Sequence, residues 1–223
     1  MALSIYIILL QALALVFVTN AIPLVSSSVG ESEAFAARQA RQIVQETGIG
    51  TLVTVMDSSV NRDFESIPFG IMEYYADRGN GDLLLLMSDL QVNVRNALKF
   101  PFVSFTLRVS DDSKHQNGRY PVENPRLTLL GKINRLPDSK YEEAYEQFTA
   151  VHQDAKWWAP KDKSSGGGFH DFHYYTLSVS GLYVINGFGG AHYVGWMNET
   201  LYHHPNQIQG PYLKQQAFWY ENV

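Results

Sequence analysis

The sequence predicts an α+β fold that is mainly β, a small closed barrel with a few short flanking helices. Six or seven segments rich in aromatic, β-branched and other apolar residues alternate with only three helix-like segments. The richest region, near the C-terminus, contains two β-runs at 170–179 and 181–185, which are separated at Ser180 and end in a glycine turn at 186–190. The 223 residues, 45% of them hydrophobic, favour one domain with a substantial core.

The first part of the chain predicts one helix and three strands. Ser28 and Glu31 have the spacing of a capping box, and apolar residues then recur at helical spacing. A helix is therefore predicted over residues 31–47, ending at Gly48. Three strands are predicted after it, the last of them a continuous apolar run typical of a buried strand: residues 50–56, 66–75 and 82–87.

Two further helices are predicted, each behind a capping box. Ser88 and Gln91 open the first, which is expected to run to about Phe100. Ser139 and Glu142 open the second, in which apolar side chains recur at i, i+3, i+4 and i+7. Two more strands are predicted, at 101–109 and at 126–135. A polar surface loop is predicted between them at 110–124.

The N-terminal segment predicts a leader. Residues 1–27 contain no charged side chain, and their apolar run, from Ala2 to Val18, is shorter than the about 20 residues needed to cross a membrane. Small residues around Val25 and Ser27 suit a cleavage site, so we expect a signal peptide at 1–27 and a single mature domain at 28–223. The mature protein is expected outside the cell or in an endomembrane or vacuolar lumen, without membrane association. An uncleaved signal anchor is the alternative.

The composition excludes several kinds of chemistry. The chain has no cysteine, which removes disulfide bonds, thiolate catalysis and cysteine metal sites. The net charge of −5 argues against a nucleic-acid partner. The sequence contains no nucleophile elbow, dinucleotide-binding glycine motif or P-loop, so no catalytic residue is assigned. Asn198 begins the only Asn-x-Ser/Thr sequon and is the predicted glycosylation site.

Several motifs give the chain a family resemblance. Asp171-Phe172, Tyr175 and Leu177, followed by Gly187-Phe188-Gly189, resemble the DF-x-x-Y-x-L … GFG signature of the flavin-type split-barrel superfamily. This superfamily includes pyridoxamine-phosphate oxidases, bacterial haem-utilisation oxygenases and the secreted CREG glycoproteins. Three other segments resemble the family's barrel strands in the same order: residues 47–54, 83–96 and 129–133. The resemblance covers about residues 31–202 and implies an FMN-binding split β-barrel with flanking short helices.

The resemblance implies three alternative functions. The first is a secreted, CREG-like binding or regulatory glycoprotein that is not an enzyme, has a degenerate flavin site and recognises a protein or glycan partner. The second is an FMN-dependent oxidoreductase of the pyridoxamine-phosphate-oxidase type, and the third is a haem-binding or haem-degrading protein. The leader and the sequon favour the first, for which no cofactor is expected. Members of the superfamily are typically homodimers with flavin sites at the interface, so a homodimer is expected.

Four residues are implied by the resemblance as the region that holds the FMN phosphate. Ser88, Arg95 and Asn96 lie at a strand–helix junction, where free N–H groups suit an anion, and Arg108 is the only basic residue of the following strand. Asp89 is expected in the first turn of the helix, where its carboxylate would face the helix dipole and repel a phosphate. This carboxylate and the scarcity of cations predict a weakened flavin site.

Histidines supply the remaining candidates. His170 and His173 are expected on opposite faces of a strand, where they could not share a metal ion, so no metal site is predicted. Asp171 and His173 share a face and are expected to pair. His192, directly after the glycine turn, is the candidate haem ligand of the third alternative.

The loop at 157–168 is the last candidate feature. It combines Trp157 and Trp158 with three glycines, so it joins a large apolar surface to a flexible backbone. The loop could close over a pocket, fill the flavin pocket as the resemblance to CREG proteins implies, or form a partner surface. The alternative is a surface loop anchored by buried tryptophans.

Overall fold

The computed structural model describes residues 30–109, 121–162 and 171–206. The strands in chain order are β1 (Ile49–Val55), β2 (Pro68–Asp77), β3 (Leu83–Ser88), β4 (Phe102–Arg108), β5 (Arg126–Arg135), β6 (Phe172–Ile185) and β7 (Val194–Met197). The helices are α1 (Glu33–Thr47), α2 (Val92–Lys99), α3 (Tyr141–Val151) and α4 (Glu199–His203). The predicted signal peptide lies outside the described residues, and none of the described helices is long and apolar enough to cross a membrane.

The strands form one antiparallel sheet in the order β3-β2-β1-β4-β5-β6-β7. The sheet closes because β3, the first strand of this order, also pairs with β6, with Leu83 opposite Leu177 and Ser88 opposite Phe172. This pairing closes six strands into a barrel, and β7 is added to the second half of β6. The α+β, mainly β closed barrel with short flanking helices is therefore confirmed.

β6 is a single strand of 14 residues, so the predicted break at Ser180 is wrong. The irregularity there is a shift of register with β5, in which Leu130 pairs with Gly181 and the next residue, Gly131, skips Ser180. The extra residue is a β-bulge, which bends the strand and increases its twist. Position 131 requires glycine because a Cβ atom would lie 2.0 Å from the carbonyl oxygen of Ser178.

The core has two parts that share β3. Leu83, Leu85 and Met87 face the barrel interior, where they join residues from the other strands and from α1. Leu84 and Leu86 face outward and are covered by α3. All six residues of β3 are buried, which explains why its sequence is continuously apolar instead of alternating. The α3 side chains in the outer part lie along one face of the helix: Tyr141, Ala144 and Phe148.

The ends of the chain's described part differ from the sequence prediction. The N-cap of α1 is Ser32, whose hydroxyl accepts a hydrogen bond from the Phe35 N–H at 3.2 Å. The predicted cap, Ser28, lies outside the described residues, whereas the helix ends before Gly48 as predicted. β7 and α4 were not predicted, because segments of four and five residues give little periodicity.

Candidate functional site

The junction between β3 and α2 is the first part of the candidate site. One of the two predicted capping-box bonds is present, since the Ser88 N–H donates to Gln91 Oε1 at 2.9 Å, whereas the Gln91 N–H donates to the Ser88 main-chain carbonyl at 3.0 Å. These bonds close a turn that precedes the helix, and α2 begins only at Val92 with Gln91 as its N-cap. The prediction that Ser88 opens the helix is therefore wrong by one turn.

The N–H groups of this turn have acceptors within the protein. Besides the pair just described, the Leu90 N–H donates to Ser88 Oγ at 3.2 Å, and the Asp89 N–H donates to the Asp171 carbonyl at 3.3 Å. All four N–H groups from residue 88 to residue 91 are thus used by the fold. A phosphate at this turn would have to displace an existing acceptor for each N–H it recruited.

Asp89 does not lie in the first turn of α2, so that expectation is wrong. Its carboxylate turns instead toward β5 and β6. Arg135 Nη1 donates to Asp89 Oδ2 at 2.9 Å, and the Tyr175 hydroxyl donates to Oδ1. The negative charge of Asp89 is therefore balanced by a guanidinium group and not by a helix dipole.

His173 extends this network. Its Nδ1 contacts the Arg135 guanidinium and lies 2.7 Å from the Tyr141 hydroxyl, while its Nε2 lies 2.8 Å from Asp171 Oδ1. Arginine can only donate, so Nδ1 is the acceptor and the imidazole proton sits on Nε2, where it bonds Asp171. The predicted pairing of Asp171 with His173 is confirmed, whereas His170 lies outside the described residues.

The two tyrosines of the network have raised pKa values. Burial and the hydrogen bond to Asp89 raise the pKa of Tyr175, and burial raises the pKa of Tyr141. Both phenols therefore stay protonated near neutral pH and act as hydrogen-bond donors, not as nucleophiles. Asp89, Asp171 and His173 each offer a ligand atom within 4.8 Å of the others, but Arg135 already bonds two of the three groups. Its positive charge would repel a divalent cation there.

Two of the candidate phosphate ligands lie on α2. Asn96 is buried, and both atoms of its side-chain amide form hydrogen bonds. Its Nδ2 donates to Thr54 Oγ1 at 3.2 Å, and its Oδ1 accepts from the Asp57 N–H at 3.1 Å. These bonds attach α2 to β1, which gives Asn96 a structural role. Arg95 is exposed and lines a separate groove of about 460 Å³ with apolar side chains such as Phe64.

Arg108 is not brought to the same place. It ends β4 opposite Arg126, the first residue of β5, whereas Arg135 at the other end of β5 bonds Asp89. An extended strand of that length spans about 30 Å, so Arg108 is remote from Ser88 within one chain. The assignment of these residues to an FMN phosphate stays a prediction.

The turn after β6 positions the candidate haem ligand. The imidazole of His192 lies against Gly187, where a Cβ atom would be 2.6 Å from the His192 ring. His192 Nδ1 is 3.9 Å from a Glu31 carboxylate oxygen, and the side chain is about half exposed. The glycine of the GFG turn thus makes room for the ring. Iron ligation by His192 stays a prediction.

The sequon lies at the start of α4. Asn198 is exposed and is the N-cap of that helix, with its Oδ1 accepting a hydrogen bond from the Leu201 N–H at 3.2 Å. The cap uses the oxygen of the amide and leaves the nitrogen, the atom to which an N-glycan is attached, on the surface. Modification of Asn198 stays a prediction.

The tryptophan loop is only partly described. Trp157 is 91% exposed, so the alternative of two buried anchoring tryptophans is wrong for this residue. Trp158 packs against Phe172 at a ring distance of 4.9 Å and is partly covered. Residues 163–168 lie outside the described part, and the three functional alternatives for the loop stay predictions.

A buried carboxyl group lies behind the junction. Glu73 of β2 faces inward, and its Oε1 accepts hydrogen bonds from Gln91 Nε2 at 3.1 Å and from Asn93 Nδ2 at 2.8 Å. Burial raises the pKa of Glu73, and the two amide donors only partly offset that increase. The folded protein therefore binds a proton at this position more tightly than the unfolded chain does.

This pKa gives an expected pH dependence. A raised folded-state pKa favours folding below the ordinary glutamate pKa of about 4.3, and this contribution is lost as the pH rises through the folded-state value. We expect Glu73→Gln to raise the melting temperature by a few degrees at pH 7 and by much less at pH 4, as measured by circular dichroism. The matched control is Glu65→Gln. Because Glu65 is exposed, this substitution is expected to change the melting temperature neither at pH 7 nor at pH 4. A gain that grew toward acid pH would contradict this account.

The order of strands and the closed six-strand barrel can now be compared with known proteins. The model of the CREG β-barrel family matches residues 31–204, which is most of the chain. The chain belongs to this family. The match begins at the residue where the sequence resemblance begins and ends two residues beyond it, and it includes the whole described barrel, β7 and α4.

Solved structures similar to this CREG family member share its fold at low sequence identity. A haem-binding protein from Mycobacterium smegmatis superposes with a TM-score of 0.60 at 22% identity, over 75% of this chain and 60% of that chain. A protein of unknown function from Agrobacterium tumefaciens superposes with a TM-score of 0.56 at 20% identity, over 77% of this chain and 64% of that chain. The CREG chain thus spans less than two thirds of either protein. A comparison with curated proteins gives no significant match.

Sequence reasoning missed several residues of the site in this CREG protein. Arg135 and Tyr141 belong to a strand end and a helix face, and neither position carries a motif. Their proximity to Asp89 arises from the pairing of β5 with β6 and of β6 with β3. Once the structure gives the pairing of Ser88 with Phe172, the register places His173 beside the junction, but the sequence alone carries no signal for that pairing.

Proposed function

We propose that this CREG family member is a secreted binding or regulatory glycoprotein that catalyses no reaction and has a degenerate flavin site. The observation that carries the proposal is the turn at residues 88–91, where all four N–H groups are already bonded within the protein. A site that binds a nucleotide phosphate needs unsatisfied donors that converge on the anion.

The charges around that turn support the same proposal. Arg135, the cation bonded beside the turn, pairs with Asp89 and contacts His173. Recruiting it for a phosphate would take the guanidinium from Asp89 and leave that carboxylate unpaired beside a second negative charge.

A binding function also fits the surface of the described residues. Large apolar side chains are exposed on several elements, including Met72 on β2, Trp157 before the glycine loop and Trp196 on β7. Aromatic and methionine side chains of this kind are enriched at protein interfaces. In this proposal the protein is a homodimer, and its partner is another protein or a glycan. A mass near that of one chain in light scattering would contradict the proposed dimer.

An absorption spectrum tests the proposal. Residues 28–223 are expressed behind a secretory leader, purified, and measured before and after addition of FMN and of haemin. We expect no flavin bands in the purified protein and no change of the FMN spectrum on mixing. A yellow protein, or saturable binding of FMN, would replace the proposal with the FMN-dependent oxidoreductase. Treatment of the same material with an N-glycosidase checks Asn198.

The haem alternative has its own readout in the same experiment. A Soret band after addition of haemin that is lost in His192→Ala would favour a haem-binding protein. The matched control is His204→Ala, because His204 is also exposed and lies outside the glycine turn. Equal spectra for both variants would mean that His192 is not the iron ligand, which removes the residue on which the haem alternative depends.

A further inference from the structure

Two arginines face each other on the outer surface of the barrel. Arg108, the last residue of β4, is directly opposite Arg126, the first residue of β5. The Cβ atoms of such cross-strand partners lie about 5 Å apart, and like charges placed directly opposite one another destabilise a sheet. The pair therefore carries a cost that its own fold does not explain.

Neither arginine is neutralised by an acid within the described residues. Arg126 Nη1 donates to two uncharged groups, the carbonyl oxygens of Val122 at 2.9 Å and of Asn124 at 3.4 Å, and Arg108 has no polar partner there. Other arginines of the barrel behave differently, since Arg41 and Arg135 each bond a carboxylate. Among the described residues, no carboxylate therefore compensates the two positive charges of the pair.

The pair lies at a groove of about 620 Å³ between α1 and the strands β1, β2, β4 and β5. The rest of its lining is mostly apolar or uncharged, and Glu46 is its one acidic residue. The apolar lining residues are Ile43, Ile49, Met72, Leu107 and Val109. Such a groove has an apolar surface along its length and an anion-binding position at the two guanidinium groups.

We propose that this groove binds a small amphipathic anion, a molecule with an apolar body and a single carboxylate or phosphate head. The head group bonds Arg108 and Arg126, which relieves their mutual repulsion. The apolar body packs against the apolar side chains of the groove, among them Ile43 and Met72. This site is separate from the turn at residues 88–91, so it goes beyond the proposed function and does not depend on it.

Calorimetric titration with three probes that share one alkyl chain tests the proposal. The probes are laurate, dodecyl phosphate and uncharged 1-dodecanol, titrated at low and at high salt. We expect laurate or dodecyl phosphate to bind at least about ten-fold more tightly than dodecanol, because the alcohol lacks the charge-assisted bonds. The preference is expected to shrink as salt is added, and the stronger of the two anions identifies the head group.

Matched variants assign the binding to the pair. Arg108→Gln removes a charge without removing any hydrogen bond of the described fold, and we expect it to weaken the anion by about ten-fold. Arg108→Gln with Arg126→Gln is expected to abolish the preference for anions, with circular dichroism confirming the fold. Arg62→Gln is the control, since Arg62 is an exposed arginine that lines neither this groove nor the groove of Arg95.

Three results would overturn the inference. One is equal binding of the anions and dodecanol, and another is an equal loss of affinity in Arg62→Gln and Arg108→Gln. The third is a failure of all probes to bind. If light scattering then shows a dimer that Arg108→Glu dissociates, a second copy of the chain, and not a small anion, covers the groove.

Discussion

Replacing Gly131 with alanine is expected to destabilise the protein by about 3 kcal/mol or more. A Cβ atom at position 131 would lie 2.0 Å from the Ser178 carbonyl oxygen and 3.1 Å from the Cα atom of Val179, both in the backbone of β6. The obstruction cannot be relieved by a side-chain rotation, so β5 and β6 would have to separate at the bulge. Urea denaturation followed by tryptophan fluorescence measures the loss.

Gly181→Ala is the matched control for this substitution. Gly181 lies across the same bulge, opposite Leu130, but its Cβ atom would meet only ordinary contacts at 3.7 Å or more. We expect its stability to stay within about 0.5 kcal/mol of the natural protein. Equal losses for the two alanine variants would mean that the close approach at Gly131 is not what the bulge requires.

Replacing Asp77 with alanine is expected to cost about 3–5 kcal/mol, the effect of leaving a buried charge without its partner. Arg41 of α1 donates Nη1 and Nη2 to the two carboxylate oxygens of Asp77 at 3.0 and 2.9 Å, and both side chains are less than 10% exposed. Asp77 also accepts from the Gly81 N–H at 3.2 Å, so the turn after β2 loses an acceptor as well.

Two further variants separate this effect from a general loss of charge. Glu143→Gln breaks the exposed pair with Lys140 and is expected to give no measurable change in denaturation. Arg41→Met combined with Asp77→Leu removes both buried charges and is expected to recover most of the stability lost in Asp77→Ala. A double variant as unstable as Asp77→Ala would show that shape, and not the unpaired charge, causes the loss.

Much of the fold could be predicted because local pattern and burial agree. β3 is apolar throughout since it is covered on both faces, and α1 ends before Gly48, where the backbone turns left-handed. The order of motifs along the chain then selected the split barrel from other barrels. The strand break predicted from the turn-like pair Ser180-Gly181 is wrong, because the hydrogen bonds to β5 keep the chain extended through these residues.

The site was harder to predict because its contacts are long-range. Asp89 was assigned to its own helix, although its partners Arg135 and Tyr175 come from strands far along the chain. The family resemblance groups Ser88 with Arg108, and only the strand pairing shows that they lie near opposite ends of β5. Periodicity reports which face a residue takes, but not which distant residue lies opposite it.

The pairing that completes the barrel has a consequence for how the chain folds. Leu83 and Leu177 meet although they are roughly 90 positions apart in sequence, so a large loop must be ordered before their contact returns any free energy. The hairpins from β1 with β2 and from β2 with β3 have short connections and are expected to form first. Joining the two edges is then the slow, entropy-limited step, and until it occurs the exposed edges of β3 and β6 are available to other chains.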